Sequence, residues 1–348
     1  MAVAGLDPIT LSRGGAINGT TGTWAQDNAL FLKVFSGEVL TAFKRLCLFG
    51  DMTQKRSISS GRSAQFPVTG RFTADWQSPG QFVQGQGDMM QNEVIIKIDD
   101  YLTAAADIFD LDEAKAHFDI RSIYSQELGE ALSRAYDKRI ARLLAIGARV
   151  STGDLTANKP AGLSPDDPFR TGTQIDINKA TPTADDLVAS VFAAAQALDE
   201  KDISKENRVV VCTPESYYTL IQSSRAVNFD FNQQGANGSY KEGQIAKLAG
   251  FSIYASNNIA QGSVTAGSGE AGYVFNGAEV KSTVDMSNTK MLAFQRNGVG
   301  VVTLKDIQMS STGNDYQVMY NSTKLKAQYA CGFGVLRPEC CVEIINSQ

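Results

Sequence analysis

"RSISSGRSAQFPVTGR", residues 56–71, holds three arginines, two glycines, four serines and no acid. Beyond Ala64 its apolar residues are Ile58, Phe66, Pro67 and Val68, too few to build a core. Further along, "NEVIIKID" (92–99) alternates. Val94, Ile96 and Ile98 point one way, and Glu93, Lys97 and Asp99 the other, so a period of two marks a half-buried strand. Residues 56–98 therefore read as a long two-stranded hairpin around a Gly/Gln-rich tip near 79–91. An isolated hairpin is marginal in water, so this one must lie against something, and that something need not be the same chain. Arg56, Arg62 and Arg71 have two readings: a solvated loop, or charged contacts to another chain. The second is favoured, because an extended arm that cannot bury itself is ordered by a partner.

The rest of the chain is ordinary. It has 348 residues, 43% hydrophobic and 20% charged, enough apolar material for one large or two medium cores. A net charge of -5 argues against a nucleic-acid binder that relies on bulk charge. No run of about 18 apolar residues is present, so no membrane span is expected. "MAVAGLDPITLSRGGAINGTTGT" (1–23) lacks the basic and apolar regions of a signal peptide and reads as a flexible leader. Five cysteines, an odd number without C-x-x-C, point to reduced thiols.

Residues 1–29 look arm-like. Residues 30–43 are apolar at Leu30, Phe31, Val34, Phe35, Val39, Leu40 and Phe43, the spacing of an amphipathic helix weakened by Gly37. Residues 112–148 carry the clearest helical pattern: Ile120, Ile123, Tyr124, Leu128, Ala131, Leu132, Ala135, Ile140, Leu143 and Leu144 recur at spacings near three and four. Gly129 is its weak point. Acids early and bases late in the run complement the helix dipole, and its length is about 55 Å. Residues 150–182 hold four of the nine prolines and read as an irregular connection. Thr183 with Asp186 forms a capping-box pattern, and "RVVVC" (208–212) reads as a buried strand followed by a Thr213-Pro214 helix start. From about 290 the pattern returns to strands, and the fold class is α+β.

Chemistry is scarce. "GRSAQFPVTG" (61–70) lacks the order of a phosphate loop, and "GVGVV" (298–302) lacks the third glycine of a dinucleotide site. Asp99-Asp100 and Asp166-Asp167 are neighbours, and on a strand neighbours point to opposite faces, which no catalytic dyad does. The single histidine, His117, rules out a multi-histidine metal site and reads as a packing or capping residue. Cys340-Cys341 read as small packing residues. No catalytic, cofactor-binding or metal-ligating residue is expected, and a cytosolic hydrolase is disfavoured for want of a nucleophile elbow.

The segments LFLKVFSGEVLTAF (30–43), RSISSGRSAQFPV (56–68), HFDIRSIYSQELGEAL (117–132), NRVVVCTPESYYTL (207–220) and YACGFGVLRPE (329–339) resemble, in the same order, segments of the major capsid proteins of short-tailed, T-seven-like bacteriophages. The resemblance is dense over 30–149 and near the C-terminus and looser over 150–290. It implies the Hong-Kong-ninety-seven capsid fold, with boundaries at 1–55 (N-terminal arm), 56–98 (the E-loop hairpin), 99–182 (peripheral domain with spine helix 112–148), 183–290 (axial domain) and 291–348 (return to the peripheral sheet). It implies a structural protein, not an enzyme. Pentamers and hexamers would form the icosahedral shell of the virion, assembled in the host bacterial cytoplasm. The E-loop would lie across a neighbouring copy, which accounts for its composition. The residues expected between copies are Arg56, Arg62, Arg71 and Phe66 on the hairpin, and Phe31 and Phe35 in the arm. Scaffolding and portal proteins are partners by resemblance. Packaged double-stranded DNA would be enclosed without specific binding, which an acidic chain suits. No membrane, small-molecule substrate or cofactor is implied, and no covalent Lys–Asn cross-link is expected. A bacterial encapsulin shell, of the same fold, is the nearest alternative.

Overall fold

The structure is a computed structural model that describes residues 39–43, 46–69, 76–82, 91–98, 100–115, 120–151, 154, 171–179, 181–222, 238–239, 244–245, 247–259, 262–265, 273–275, 278–281, 283–312 and 314–347. The chain forms two compact units. One comprises Met1–Gly50, Asp100–Asp137 and Thr303–Cys331; the other Asp51–Asp99, Lys138–Val302 and Gly332–Gln348. Each unit is discontinuous.

Within the long apolar run the described residues form the helices Asp110–Lys115 and the 29-residue Ile120–Ala148. At about 1.5 Å per residue the latter alone spans about 43 Å. His117 lies outside the described residues. The dipole reading is corrected: the first turn of Ile120–Ala148 has no acid and its last turn no base. The exposed side is stabilised instead by Arg134, which donates to Glu130 at 3.1 Å.

In the first unit, Ser322–Val335 pairs antiparallel with Tyr101–Phe109, in register from Ser322 opposite Phe109 to Ala330 opposite Tyr101. Val299–Ser311 flanks it in the same sheet. Ile108, Leu325 and Ala327 on the sheet meet Leu128 and Leu132 of the long helix and Val39 of the helical stretch 39–43. Phe43, Tyr136 and Tyr329 add an aromatic trio with ring centroids 5.6, 5.8 and 6.2 Å apart. Gly129, a weak point by propensity, is a crossing point: a Cβ there would stand 2.8 Å from the Val39 carbonyl oxygen and 2.8 Å from the Ala42 Cβ. About two helix turns away, the buried Asp137 carboxylate accepts from the Leu48 amide at 3.0 Å and the Phe49 amide at 3.2 Å, capping the short helix Phe49–Met52.

The second unit is built on a six-stranded sheet in the order Thr173–Asp176, Cys341–Ile345, Thr289–Gln295, Arg208–Cys212, Phe251–Ala255, Lys247–Leu248. Strands Thr289–Gln295 and Cys341–Ile345 pair with each other beside Arg208–Cys212. Such nearly continuous apolar strands suit the middle of a sheet covered on both faces. Helices Ala184–Glu200 and Pro214–Ile221 cover one face. Leu187, Val191, Leu198 and Leu220 pack on Val210, Cys212, Phe251, Met291 and Ile344. Both helix starts are as the sequence predicts. Thr183 and Asp186 cap each other's backbone, and Thr213 precedes the N-terminal Pro214 and accepts from the Ser216 amide.

Candidate assembly surface

Ser63–Thr69 pairs antiparallel with Gln91–Lys97, placing Ala64 opposite Ile96 and Phe66 opposite Val94. The Ile98 amide closes the root by donating to the Arg62 carbonyl oxygen at 2.7 Å. Alternation gives the ribbon two faces. Ala64, Phe66, Val94, Ile96 and Ile98 are buried, while Gln65, Pro67, Glu93 and Lys97 are exposed.

The expectation of a hairpin without a core is thus corrected at its base. The alternation of two short apolar rows suffices once glycines at 300, 332 and 334, in those parts of the strands Val299–Ser311 and Ser322–Val335 that belong to the second unit, let the ribbon approach. A Cβ at Gly332 would overlap the Lys97 carbonyl oxygen, and Ile96 lies over Gly334 and Gly300. Sequence reasoning missed this because the partner glycines lie more than two hundred residues away.

The proposed contact residues divide. Arg56 is exposed, yet it donates to the Gln65 carbonyl oxygen at 2.6 Å and its guanidinium stands 5.6 Å from the Phe66 ring centroid. Phe66 is buried in its own chain. Both therefore help to hold the hairpin's own shape. Arg62 is exposed on the hairpin root. Arg71, Phe31 and Phe35 lie outside the described residues.

Two residues that sequence reading passed over stand out toward the tip: Trp76 is fully exposed and Phe82 is 89% exposed. They flank a turn in which the Gln81 amide donates to the Ser78 carbonyl oxygen at 3.3 Å and Gly80 has φ +88°. Proline then glycine at the two central positions is the pattern of a type II turn. "WQSPGQF" (76–82) carried the signal: two large aromatics flank a proline–glycine turn.

Among the described residues, no group of three or more His, Cys, Asp or Glu side chains could hold a metal. The buried thiols are poor nucleophiles at neutral pH, since desolvation pushes Cys212 and Cys340 up to about 12. The most buried charge is structural. Glu343, with no exposed side-chain surface, accepts from Arg149 Nε at 2.6 Å, Arg149 Nη2 at 2.7 Å, Thr289 Oγ1 at 2.6 Å and Gln174 Nε2 at 3.2 Å. That pairing raises the Arg149 pKa above its ordinary value.

Residues 65–345 match the family model described as Gp10A-like major capsid protein. The major capsid protein of Escherichia phage T7 is 33% identical over 332 residues, covering 91% of this chain and 92% of the relative. The capsid structure of the cyanophage P-SCSP1u aligns over 94% of this chain and 96% of its own, with a TM-score of 0.72 and 35% identity. A virus-like particle from Pyrococcus furiosus shares the fold at a TM-score of 0.52 and 11% identity, covering 90% of this chain and 99% of its own. The fold is that of Hong-Kong-ninety-seven-like phage capsids, and the chain belongs to the Gp10A-like family of major capsid proteins.

Proposed function

We propose that this chain assembles as pentamers and hexamers into the icosahedral shell that encloses phage double-stranded DNA. The single observation that carries the reading is the hairpin 63–97: its base is held by its own unit while Trp76 and Phe82 stand exposed toward the tip. In water such aromatics gain by burial against another surface, and in a shell of identical subunits that surface is the neighbouring copy. Arg62, exposed at the root, is the cation proposed for the contact. Assembly takes place in the host bacterial cytoplasm with scaffolding and portal proteins, and the DNA is enclosed by an acidic, non-specific container. The chain carries out no catalysis. The encapsulin alternative is disfavoured because 33% identity runs to a phage major capsid protein, whereas the Pyrococcus particle shares only the fold.

Arg62→Glu tests the contact. The unassembled variant keeps the wild-type far-ultraviolet circular dichroism, and its shells require at least about tenfold more protein, the equivalent of about 1.4 kcal/mol per contact. Shells forming at the wild-type concentration would remove Arg62 from the interface.

A further inference from the structure

The stretch Val39–Gly50 meets the long helix Ile120–Ala148 at three levels, all within the first unit. At one end the backbone of Val39 crosses Gly129 so closely that a Cβ there would stand 2.8 Å from the Val39 carbonyl oxygen. In the middle the Phe43 ring meets Tyr136 edge-on, with centroids 5.6 Å apart. At the other end Asp137 Oδ2 accepts from the Leu48 amide at 3.0 Å, and Oδ1 accepts from the Phe49 amide at 3.2 Å and the Cys47 thiol at 3.4 Å. Residue numbers rise in the same sense along both segments, so the stretch runs parallel to the helix. The two end contacts are about 12 Å apart along the helix axis.

These contacts differ in what they can fix. The glycine crossing and the ring contact are small or apolar surfaces, past which a packed segment can shift by one helix turn, about 5.4 Å. Asp137 opposes such a shift. Its residue surface is 1% exposed, so a shifted stretch would leave a buried carboxylate without these two amides. The penalty for a buried acceptor that loses its donors is largest when the acceptor is charged. An apolar side chain could fill the same space at less desolvation cost. A carboxylate aimed at two main-chain amides instead reads where the backbone lies, whatever the side chains there are.

We propose that Asp137 is a positioning residue for assembly: it fixes the register of Val39–Gly50 on the long helix, and so the place and direction from which the chain before Val39 leaves the unit. The proposal rests on the shell reading above, and the device it names works inside one copy. A ring of identical subunits closes only when every subunit presents its contacts at the same angle. A copy whose leading stretch has slipped by a turn presents them elsewhere, and the ring stays open or closes at another size. A buried polar group that selects one register at some cost in stability is the best attested use of such groups.

The test uses the full chain assembled with its scaffolding protein, with wild type in parallel. In Asp137→Leu the Leu48 and Phe49 amides lose their acceptor, and their hydrogen exchange in the unassembled chain is at least about tenfold faster. Open or odd-sized particles are at least about tenfold more frequent than in wild type, the equivalent of about 1.4 kcal/mol of lost selection between registers. Asp137→Asn keeps an acceptor oxygen for one of the two amides and falls between wild type and Asp137→Leu in both measurements. Val191→Ala serves as the control for stability: it opens a cavity in the core of the second unit and lowers the melting temperature of the unassembled chain, yet gives shells of wild-type diameter. Regular shells from Asp137→Leu at the wild-type frequency overturn the proposal. So do equally irregular particles from Val191→Ala, because irregularity would then follow stability alone. If Asp137→Leu does not fold, regular shells from Asp137→Asn at the wild-type frequency overturn it instead. A wild-type chain that forms no shells overturns the shell reading and this role with it.

Discussion

Glu343 shows what a single residue contributes here and why the sequence hid it. Its carboxylate is completely buried and receives two hydrogen bonds from Arg149, 194 positions away. A buried carboxylate is tolerated only when its lone pairs are satisfied, and Arg149, Thr289 and Gln174 do that together. Nothing local in "CVEII" (341–345) distinguishes this glutamate from a solvated one, because its partners come from other elements. Glu343→Ala leaves the Arg149 guanidinium half-buried without its carboxylate. It is expected to lower the unfolding free energy by about 3–5 kcal/mol in urea titrations of the unassembled chain. A loss below about 1 kcal/mol would show that the pair contributes little beyond the packing around it.

Elements were legible where their signals are local. The capping box at Thr183 and Asp186, the Thr213-Pro214 start and the alternation of 93–98 were all read from adjacent residues and are all present. The helix Ala184–Glu200 also has a pH signature. The Asp186 carboxyl is held down at about 2, first by its hydrogen bond from Lys179 and then by those from Thr183. A depressed value stabilises the fold above the ordinary carboxylate pKa of about 3.9 and ceases to do so as the pH falls toward 2. In Asp186→Asn the melting temperature is therefore lower at pH 6 and varies less with pH between about 4 and 2 than in wild type; an unchanged acid limb would place the titrating group elsewhere. Other elements were illegible because they depend on distant chain. The hairpin looked coreless because its glycine partners follow it by more than two hundred residues. Gly332→Ala sets a Cβ against the Lys97 carbonyl oxygen, where backbone must move. It should cost about 1–3 kcal/mol and loosen the hairpin, seen as faster amide exchange over 63–69 and 91–97. Unchanged exchange would mean that the ribbon is not held at this crossing.

At the scale of the whole molecule, the family was legible in strings such as "YACGFGVLRPE", whereas the order of strands in the six-stranded sheet was not. Strands from 289–295 and 341–345 enter one sheet with 208–212, and sheet order is set by packing of distant segments. The candidate surface was read in part. The hairpin is where the sequence put it, but two of its proposed contact residues, Arg56 and Phe66, are engaged within the chain, while Trp76 and Phe82 stand exposed. A chain alone offers no signal for what covers exposed aromatics, since their partner is another molecule. The central claim is that this chain exists to assemble with itself. It is tested most directly by negative-stain electron microscopy of the full chain purified after expression with its scaffolding protein, beside a preparation made without it. Uniform icosahedral shells that depend on the scaffold are the predicted result. A stable monomer in both preparations would contradict the account.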